Sequence, residues 1–338
     1  MTALSIVVPC FNEEGCLAVL HERLGAAARS VAGEDYEIVL VNDGSRDGSW
    51  PIMQSMAERD PHLVAVNLSR NHGHQLALTA GLDLSRGDRI LIIDADLQDP
   101  PELLPAMMAV MEAEHADVVY GVRKSRAGET AFKRATAHGF YRLLSRATEV
   151  DIPLDAGDFR LMSRRALDAL LAMPEQARFI RGMVAWLGFR QVPFPYDRQQ
   201  RFAGDTKYPL RKMVRFALDA LTGFSSAPLK LASQFGIGLS IGSLVLILYI
   251  AYAWLAGRSI PGWTSLMLIV VVIGAVQMFV LGLMGEYIGR LYNESKRRPL
   301  YIVQEVAGSQ RPDARLGYIA EPSAKSDKPG GKGTRPTR

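Results

Sequence analysis

The sequence is poor in cysteine and lacks the glycine-rich signatures of two large nucleotide-binding classes. Cys10 and Cys16 are the only cysteines in 338 residues, and neither has a Cys or His partner at zinc-site spacing. The chain therefore predicts no disulfide framework, and its cysteine use is typical of a reducing, cytosolic environment. No G-x-G-x-x-G follows the first apolar segment and no Walker lysine loop occurs, which disfavours dinucleotide redox chemistry and P-loop phosphoryl transfer.

The N-terminus also lacks a basic segment followed by a long apolar core, so we expect no cleavable signal peptide. Long apolar runs occur only in the last third of the chain. The net charge is +4, and the basic residues cluster beside those runs. This arrangement favours a membrane surface as a partner and disfavours nucleic acid.

Short apolar segments alternate with segments of helical periodicity in the first 120 residues. The predicted strands are residues 4–9, 37–42, 63–68, 90–93 and 117–121. The predicted helices cover residues 13–29, a segment from the 43–48 turn to about residue 59, and residues 73–84 and 102–114. Such alternation is typical of a mostly parallel α/β sheet with helices on both faces.

Polar residues follow the predicted strands. Asp94 and Asp96 come directly after the fourth strand, where open α/β sheets bind ligands. Two such carboxylates can hold Mg²⁺ against substrate phosphates, although a solvated turn would use the same residues. Asp43 could accept hydrogen bonds from a base or ribose and Arg123 could bind a phosphate; a turn cap and a surface charge are the alternatives.

Three motifs resemble the successive signatures of one enzyme family. They are Pro9-x-Phe11-Asn12-Glu13, Asn42-Asp43-Gly44-Ser45-x-Asp47-Gly48 and Asp94-x-Asp96-Leu97-Gln98-Asp99-Pro100-Pro101-Glu102. Together they resemble family 2 glycosyltransferases, whose GT-A fold is a Rossmann-like α/β sheet. More narrowly, the chain is similar to polyprenyl-phosphate glycosyltransferases, closest to the bacterial bactoprenol glucosyltransferases and related to dolichol-phosphate mannose synthases.

The resemblance implies an inverting, metal-dependent transfer of a hexose, with UDP-glucose as donor, undecaprenyl phosphate as acceptor and Mg²⁺ or Mn²⁺ as cofactor. It implies that the nucleotide sugar is bound by Pro9, Phe11, Glu13, Asp43, Asp94, Asp96, Gln98 and Arg201. The implied metal ligands are Asp94, Asp96 and Gln98. The implied contacts to the lipid phosphate and the diphosphate are Arg123, Arg134, Arg201 and Lys207.

A carboxylate near the anomeric carbon could act as the catalytic base. The bacterial relatives suggest Asp158, which we place in a Gly-Asp-Phe loop, with Asp155 as the second candidate. A phosphate acceptor is already ionised at neutral pH, so Asp158 could instead orient the acceptor or a sugar hydroxyl, or simply cap the next helix. His72 and His74 form an H-x-H loop without a third metal ligand nearby, and we assign them no role.

The last third of the chain predicts a membrane anchor. Residues 210–221 form a basic amphipathic pattern, and residues 235–255 and 264–285 are uncharged runs long enough to cross a hydrocarbon core of about 30 Å. Basic residues flank the outer ends of both runs, so the positive-inside rule predicts a hairpin whose two ends lie in the cytoplasm. We therefore expect a multi-pass protein of the bacterial plasma membrane with a cytoplasmic catalytic domain.

The predicted domains follow this division. They are a catalytic domain (1–208), a juxtamembrane helix (209–230), a transmembrane hairpin (231–286), a C-terminal helix with a short strand at 301–303 (287–308) and a disordered tail (309–338). Glycines in the apolar runs suit close helix packing within or between subunits, and the resemblance implies a homo-oligomer, possibly a tetramer.

Three alternatives stay open. The same metal and phosphate groups would serve another sugar, such as 4-amino-4-deoxyarabinose, mannose or an N-acetylated sugar. A processive polysaccharide synthase shares the strand-end aspartates, but it needs more membrane spans and a Gln-x-x-Arg-Trp motif that this chain lacks. A non-enzymatic membrane adaptor would keep the apolar hairpin and would not need the acids.

Overall fold

Eight strands form one mixed sheet in the computed structural model, which describes residues 2–123, 156–198 and 262–308 and scattered residues between 232 and 256. The strands are β1 (Leu4–Cys10), β2 (Tyr36–Asn42), β3 (Leu63–Leu68), β4 (Arg89–Ile92), β5 (Val118–Arg123), β6 (Ala156–Ser163), β7 (Gln191–Tyr196) and β8 (Val303–Ala307). Their order across the sheet is β7-β5-β6-β4-β1-β2-β3-β8.

Most neighbouring strands are parallel. β1 pairs in parallel with β2 and β4, β2 with β3, and β5 with β7. β6 runs antiparallel between β4 and β5, and β8 runs antiparallel along β3. The predicted mostly parallel sheet and its first five strands are confirmed, whereas β6 and β7 were not predicted.

Helices cover both faces of this sheet. The helices with described bounds are α1 (Leu17–Ala32), α2 (Ser49–Arg59), α3 (His74–Leu84), α4 (Leu104–Ala113), α5 (Arg164–Leu171), α6 (Ile180–Trp186) and α7 (Trp263–Ser295). Successive residues of a strand point to opposite faces. In β1, Ile6 and Val8 belong to the core formed with α1, α2 and α4, whereas Val7 belongs to the core formed with α3, α5 and α6. The predicted helices on both faces are therefore confirmed.

The predicted loop around Asp158 is wrong, because this residue lies inside strand β6. Its neighbours Phe159 and Leu161 are fully buried, which is typical of a central strand. Asp158 does not cap the next helix either. That role belongs to Ser163, whose Oγ accepts a hydrogen bond from the backbone N–H of Ala166 at 3.3 Å.

The C-terminal segment of the described chain combines an apolar helix with a strand of the main sheet. Within the described residues, Val272–Ser295 of α7 is long and apolar enough to cross a membrane, and its apolar stretch is not buried against the protein. The second predicted span, residues 264–285, lies within α7. The chain then returns to the sheet as β8 (Val303–Ala307), which shares only Val303 with the predicted strand at 301–303.

The first predicted span is described only in part. The described residues between 232 and 255 are helical. The large apolar side chains among them are exposed: Ile237, Ile241, Leu244, Val245, Leu248, Tyr249, Tyr252 and Leu255. The two-span hairpin therefore stays a prediction. The predicted amphipathic helix (209–230) and C-terminal tail (309–338) lie outside the described residues.

Candidate active site

The loops that follow β1 and β2 are joined by hydrogen bonds. Asn12 Oδ1 accepts from the backbone N–H of Arg46 at 2.8 Å, and the backbone N–H of Asn12 donates to Ser45 Oγ at 2.9 Å. Beside them the Phe11 ring is 44% exposed. The carboxyl ends of these two strands therefore carry an ordered polar rim with an exposed aromatic ring, which suits a stacked base.

Asp43 is buried at the end of β2 and holds the loop that precedes α3. Its Oδ1 accepts from the backbone N–H of His72 at 2.6 Å, and its Oδ2 accepts from Gly73 N–H at 3.0 Å. Burial raises the pKa of Asp43, and the two amide hydrogen bonds oppose that shift. Asp43 therefore positions the 71–75 loop at the same sheet edge as the motifs after β1 and β4.

The aspartates after β4 sit on a tight turn. Asp94 Oδ1 lies 3.0 Å from His74 Nε2, and Asp96 Oδ1 accepts from the backbone N–H of Gln98 at 3.1 Å. Leu97, between Asp96 and Gln98, has a φ of 58°. This left-handed conformation costs about 1 kcal/mol or more for a non-glycine residue. The turn thus holds two carboxylates and one amide side chain at the end of a buried strand.

A second charged cluster lies next to this turn. Asp99 is 1% exposed, and its Oδ1 accepts a hydrogen bond from the Tyr196 hydroxyl. Arg198 Nε lies 3.5 Å from Asp99 Oδ1, and its Nη2 lies 3.7 Å from Asp96 Oδ2. Arg123 is paired with Tyr196 in the register of β5 and β7. Two arginines therefore lie near the aspartates, in a position to balance the charge of a bound diphosphate.

Asp158 is the centre of a third cluster. Arg181 binds its carboxylate with two nitrogens, Nε to Oδ1 at 2.8 Å and Nη2 to Oδ2 at 3.2 Å. Gln75 Nε2 donates to Oδ2 at 3.3 Å, and His74 Nδ1 lies 3.7 Å from the same oxygen. The buried Arg160 guanidinium lies 3.9 Å from Oδ1. His74 consequently stands between the carboxylates of Asp94 and Asp158.

These contacts fix the charge of Asp158. Burial alone would raise the pKa of its carboxyl, but the Arg181 guanidinium, aided by Arg160 and His74, holds that pKa well below its usual range. A carboxylate stabilised to this degree is a weak proton acceptor. The geometry thus favours the orienting role over the role of general base.

The structure brings most of the predicted site residues to one edge of the sheet. Pro9, Phe11, Glu13 and Asp43 lie at the ends of β1 and β2, Asp94, Asp96 and Gln98 follow β4, Arg123 ends β5, and Asp158 lies in the antiparallel β6 beside β4. The other predicted residues lie outside the described part of the chain: Arg134, Asp155, Arg201 and Lys207.

Several site residues were missed by sequence reasoning: Gln75, Arg160, Arg181, Tyr196 and Arg198. Most of them lie in elements that were not predicted: Arg160 in β6, Arg181 in α6 and Tyr196 in β7.

Among the residues that the structure describes, two sets of side chains could hold a divalent cation. His74, Asp94 and Asp158 place potential ligand atoms within 4.8 Å of one another. In this set both oxygens of Asp158 are already bound by Arg181. The predicted set of Asp94, Asp96 and Gln98 offers oxygen ligands alone, the chemistry that Mg²⁺ and Mn²⁺ prefer. The donor chemistry therefore fits the predicted set better.

Fold and site together define an α/β protein with a cluster of charged and polar side chains at the carboxyl ends of its strands. Residues 5–171 match the model of glycosyl transferase family 2. The chain is 47% identical over 305 residues to the uncharacterized glycosyltransferase YkcC of Bacillus subtilis, covering 90% of this chain and 94% of the relative. The chain therefore belongs to glycosyltransferase family 2.

Other relatives carry more specific names. A prophage bactoprenol glucosyl transferase homolog of Escherichia coli is 38% identical over 309 residues, covering 90% of this chain and 99% of that protein. The bactoprenol glucosyl transferase of Shigella phage SfV is 37% identical over 307 residues, covering 89% and 98%. The predicted resemblance to family 2 and to the bactoprenol glucosyltransferases is thus confirmed over nearly the whole length of these relatives.

Proposed function

We propose that this chain transfers glucose from UDP-glucose to undecaprenyl phosphate at the cytoplasmic face of a bacterial plasma membrane, with inversion at the anomeric carbon. The observation that supports this proposal is that Asp94 and Asp96 follow a buried strand. They lie at the same sheet edge as the polar loops after β1 and β2. The names of the bactoprenol glucosyl transferases support the choice of sugar and acceptor. The product would be a lipid-linked sugar donor for modification of cell-envelope glycans or lipids.

The donor's nucleoside would lie against the loops after β1 and β2. Phe11 offers an exposed ring for the uracil, with Pro9 near the end of β1 and Glu13 in the loop that follows the strand. Asp43 binds the 72–73 backbone and thereby shapes the floor of this pocket. Stacking supplies affinity for a nucleobase of any kind, so the choice of uracil depends on polar groups beside the ring.

The donor's diphosphate would lie over Asp94, Asp96 and Gln98. These side chains would hold Mg²⁺ or Mn²⁺, and a bound ion would supply positive charge to offset the charge that develops on the departing UDP. Arg198 lies 3.7 Å from the Asp96 carboxylate, and Arg123 lies on the neighbouring strand end. These guanidinium groups can bind phosphate oxygens directly.

The transfer is a displacement at the anomeric carbon. An anionic oxygen of the acceptor phosphate forms the new bond to carbon, the bond to the UDP oxygen breaks, and UDP leaves with the electron pair. Because the acceptor carries its negative charge at neutral pH, no protein group has to remove a proton. Asp158, whose charge is fixed by Arg181, then acts by positioning its neighbours.

The exposed apolar helix would keep the catalytic domain at the membrane. Glu294, near the end of α7, accepts hydrogen bonds from the backbone N–H of Gln176 at 2.9 and 3.1 Å. Beyond α7, β8 pairs with β3 of the catalytic sheet. These two contacts would hold the active site close to the headgroup region, where the phosphate of a polyprenyl acceptor lies.

A donor panel tests the proposal. The purified full-length protein is incubated with undecaprenyl phosphate, Mg²⁺ or Mn²⁺ and one nucleotide sugar at a time, and the lipid is examined by mass spectrometry. We expect a lipid heavier by one hexose with UDP-glucose. A product that forms only with a different donor would show that another sugar is transferred. The absence of product with every donor would overturn the proposal.

A pair of variants shows whether the product depends on the proposed site. Asp94→Asn removes a proposed metal ligand and should lower product formation by about 100-fold or more, a loss of about 3 kcal/mol of transition-state stabilisation. Asp168→Asn makes the same chemical change at an exposed position of α5, where the only ion pair described is the 3.7 Å contact with Arg164. That control should retain the activity of the unaltered protein.

A further inference from the structure

His74 lies beside the aspartates after β4, and the sequence assigned it no role. It is the first residue of α3, and the Asp43 carboxylate holds the loop before it through two backbone N–H groups. α3 packs closely on the sheet, since a Cβ added at Gly81 would lie 2.4 Å from Val7 Cγ1. The backbone of His74 is therefore fixed both by the loop before it and by the helix after it.

The His74 imidazole lies between two carboxylates. Its Nε2 lies 3.0 Å from Asp94 Oδ1, and its Nδ1 lies 3.7 Å from Asp158 Oδ2. A carboxylate oxygen accepts hydrogen bonds, so Nε2 carries the proton of the shorter contact. The two oxygens of a carboxylate have about four acceptor positions, and one N–H group occupies one of them. The contact with His74 thus orients the Asp94 carboxylate and leaves acceptor positions for a cation.

Gln75 contacts the other nitrogen of this ring. Its Oε1 accepts from the backbone N–H of Ile180 at 2.9 Å, which fixes the orientation of the amide because a backbone N–H can only donate. The amide nitrogen then faces the site, where Gln75 Nε2 lies 3.3 Å from Asp158 Oδ2 and 3.2 Å from His74 Nδ1. These contacts connect the Ile180 backbone to the Asp94 carboxylate through two side chains.

The same contacts favour support of a metal ligand over direct ligation by His74. Both ring nitrogens face protein groups, Nε2 the Asp94 carboxylate and Nδ1 the Gln75 amide. A cation bound to either nitrogen would have to break one of these contacts. Hydrogen bonds from an outer side chain to a metal ligand orient that ligand, and their loss typically lowers metal affinity by about 10–100-fold.

We propose that His74 is a positioning residue for the metal site, which holds the Asp94 carboxylate in the orientation that binds a divalent cation, and that Gln75 holds the His74 ring. This proposal rests on the proposed function, in which Asp94, Asp96 and Gln98 bind that cation. It adds two supporting residues to the site, neither of which touches the cation.

Binding of Mn²⁺ to the purified full-length protein tests this role without a measurement of activity. The free ion is quantified by EPR in the presence of saturating UDP. His74→Ala should raise the Kd for Mn²⁺ about 10-fold or more, because the Asp94 carboxylate loses the group that orients it. His74→Gln places an amide N–H near the position of Nε2–H, so its Kd should lie between those of His74→Ala and the unaltered protein.

His21→Ala is the matched control. His21 Nε2 lies 2.7 Å from Asp60 Oδ2, a His–Asp contact of the same kind. Asp60 precedes β3, so this contact lies at the opposite edge of the sheet from the strand ends that carry the site. The Kd for Mn²⁺ should stay within about twofold in this variant.

Gln75→Leu separates the positioning role from a general loss of structure. It should raise the Kd for Mn²⁺ in the same direction as His74→Ala, and the double variant should be little worse than His74→Ala alone, because Gln75 acts through the His74 ring. Independent effects that multiply in the double variant would contradict the assigned role of Gln75.

Pulsed EPR of the bound Mn²⁺ distinguishes support from ligation. We expect no coupling from a directly bound imidazole nitrogen. Such a coupling in the unaltered protein, lost in His74→Gln, would make His74 a metal ligand and overturn the proposal.

A Kd for Mn²⁺ unchanged within about twofold in folded His74→Ala would also overturn it. If His74→Ala does not fold, His74→Asn takes its place, since its amide ends one bond closer to the backbone: a raised Kd supports the proposal and an unchanged one overturns it. Failure of the proposed function looks different, because the unaltered protein would then form no glycosylated lipid, whatever its affinity for Mn²⁺.

Discussion

Asp158 shows how a charged residue can belong to a strand interior. Its carboxylate is buried, and Arg160 and Arg181 supply the opposite charge. We predict that Asp158→Asn lowers the free energy of unfolding by about 3 kcal/mol, because it removes the negative charge from a buried carboxylate that is paired with two guanidinium groups. Urea unfolding measures this loss, and Asp168→Asn on the surface of α5 should change the same quantity by less than about 0.5 kcal/mol.

The effect of Asp158→Asn should depend on pH in one direction. The folded-state pKa of Asp158 is depressed, so its contribution to stability is fully present above the unfolded-state pKa of about 3.9 and is lost as the pH falls toward the folded value. The difference in unfolding free energy between the two proteins should therefore shrink below about pH 4, as the Asp158 carboxyl becomes protonated. A difference that grows below about pH 4 would contradict the assigned ion pair.

Gly44 is a second residue whose identity the fold requires. Its φ is +65°, and a Cβ at this position would lie 2.5 Å from the backbone nitrogen of Asn71. We predict that Gly44→Ala destabilises the protein by about 2 kcal/mol and weakens UDP binding, because the loop after β2 must move away from the 71–75 loop. Thermal unfolding and UDP titration measure the two effects. Gly15→Ala is the matched control, since a Cβ there meets nothing within 4 Å.

The elements differ in how far the sequence predicts them. The first five strands were predicted because each is an apolar run bounded by polar turns. β6 was missed because the charged residues Asp158 and Arg160 interrupt its apolar pattern. β7 contains Pro193 and Pro195, which normally argue against a strand; the fold accepts them because β7 is an edge strand that pairs with β5 alone.

The site residues also differ in how far the sequence predicts them. Motifs that follow predicted strands could be placed from the sequence, since the carboxyl ends of parallel strands share one edge. Arg181 and Gln75 could not, because their roles arise from contacts with Asp158 across 23 and 83 residues of chain. Pairings between such distant parts of a chain have no local signature in a single sequence.

A partly buried hydrogen bond next to β8 ties this edge strand to helix α3. The Tyr301 hydroxyl, just before β8, donates to Asp83 Oδ2 of α3 at 2.6 Å, and burial raises the pKa of the Asp83 carboxyl. Tyr301→Phe would leave that carboxyl without its donor and should cost about 1–2 kcal/mol. Hydrogen exchange of the β3 and β8 amides reports the loss, and Tyr292→Phe, at an exposed ring of α7, should leave their exchange unchanged.

The whole molecule is proposed to be a cytoplasmic catalytic domain on a membrane hairpin. We predict that a cysteine introduced by Ser259→Cys, between the two apolar runs, reacts with a membrane-impermeant maleimide in intact cells. A cysteine introduced by Ser309→Cys should react only after the membrane is permeabilised. The native Cys10 and Cys16 are each 1% exposed and should contribute little background. Labelling of both positions from outside would contradict the proposed topology.

The proposed reaction is an inverting transfer of glucose to a polyprenyl phosphate. The most direct measurement is the anomeric configuration of the product, determined by NMR after incubation of the full-length protein with ¹³C-labelled UDP-glucose and undecaprenyl phosphate. Because the glucose of UDP-glucose is α-linked, a single displacement predicts a β-linked glucosyl phosphate lipid. An α-linked product, or no glycosylated lipid under conditions where a known bactoprenol glucosyl transferase produces one, would contradict the claim.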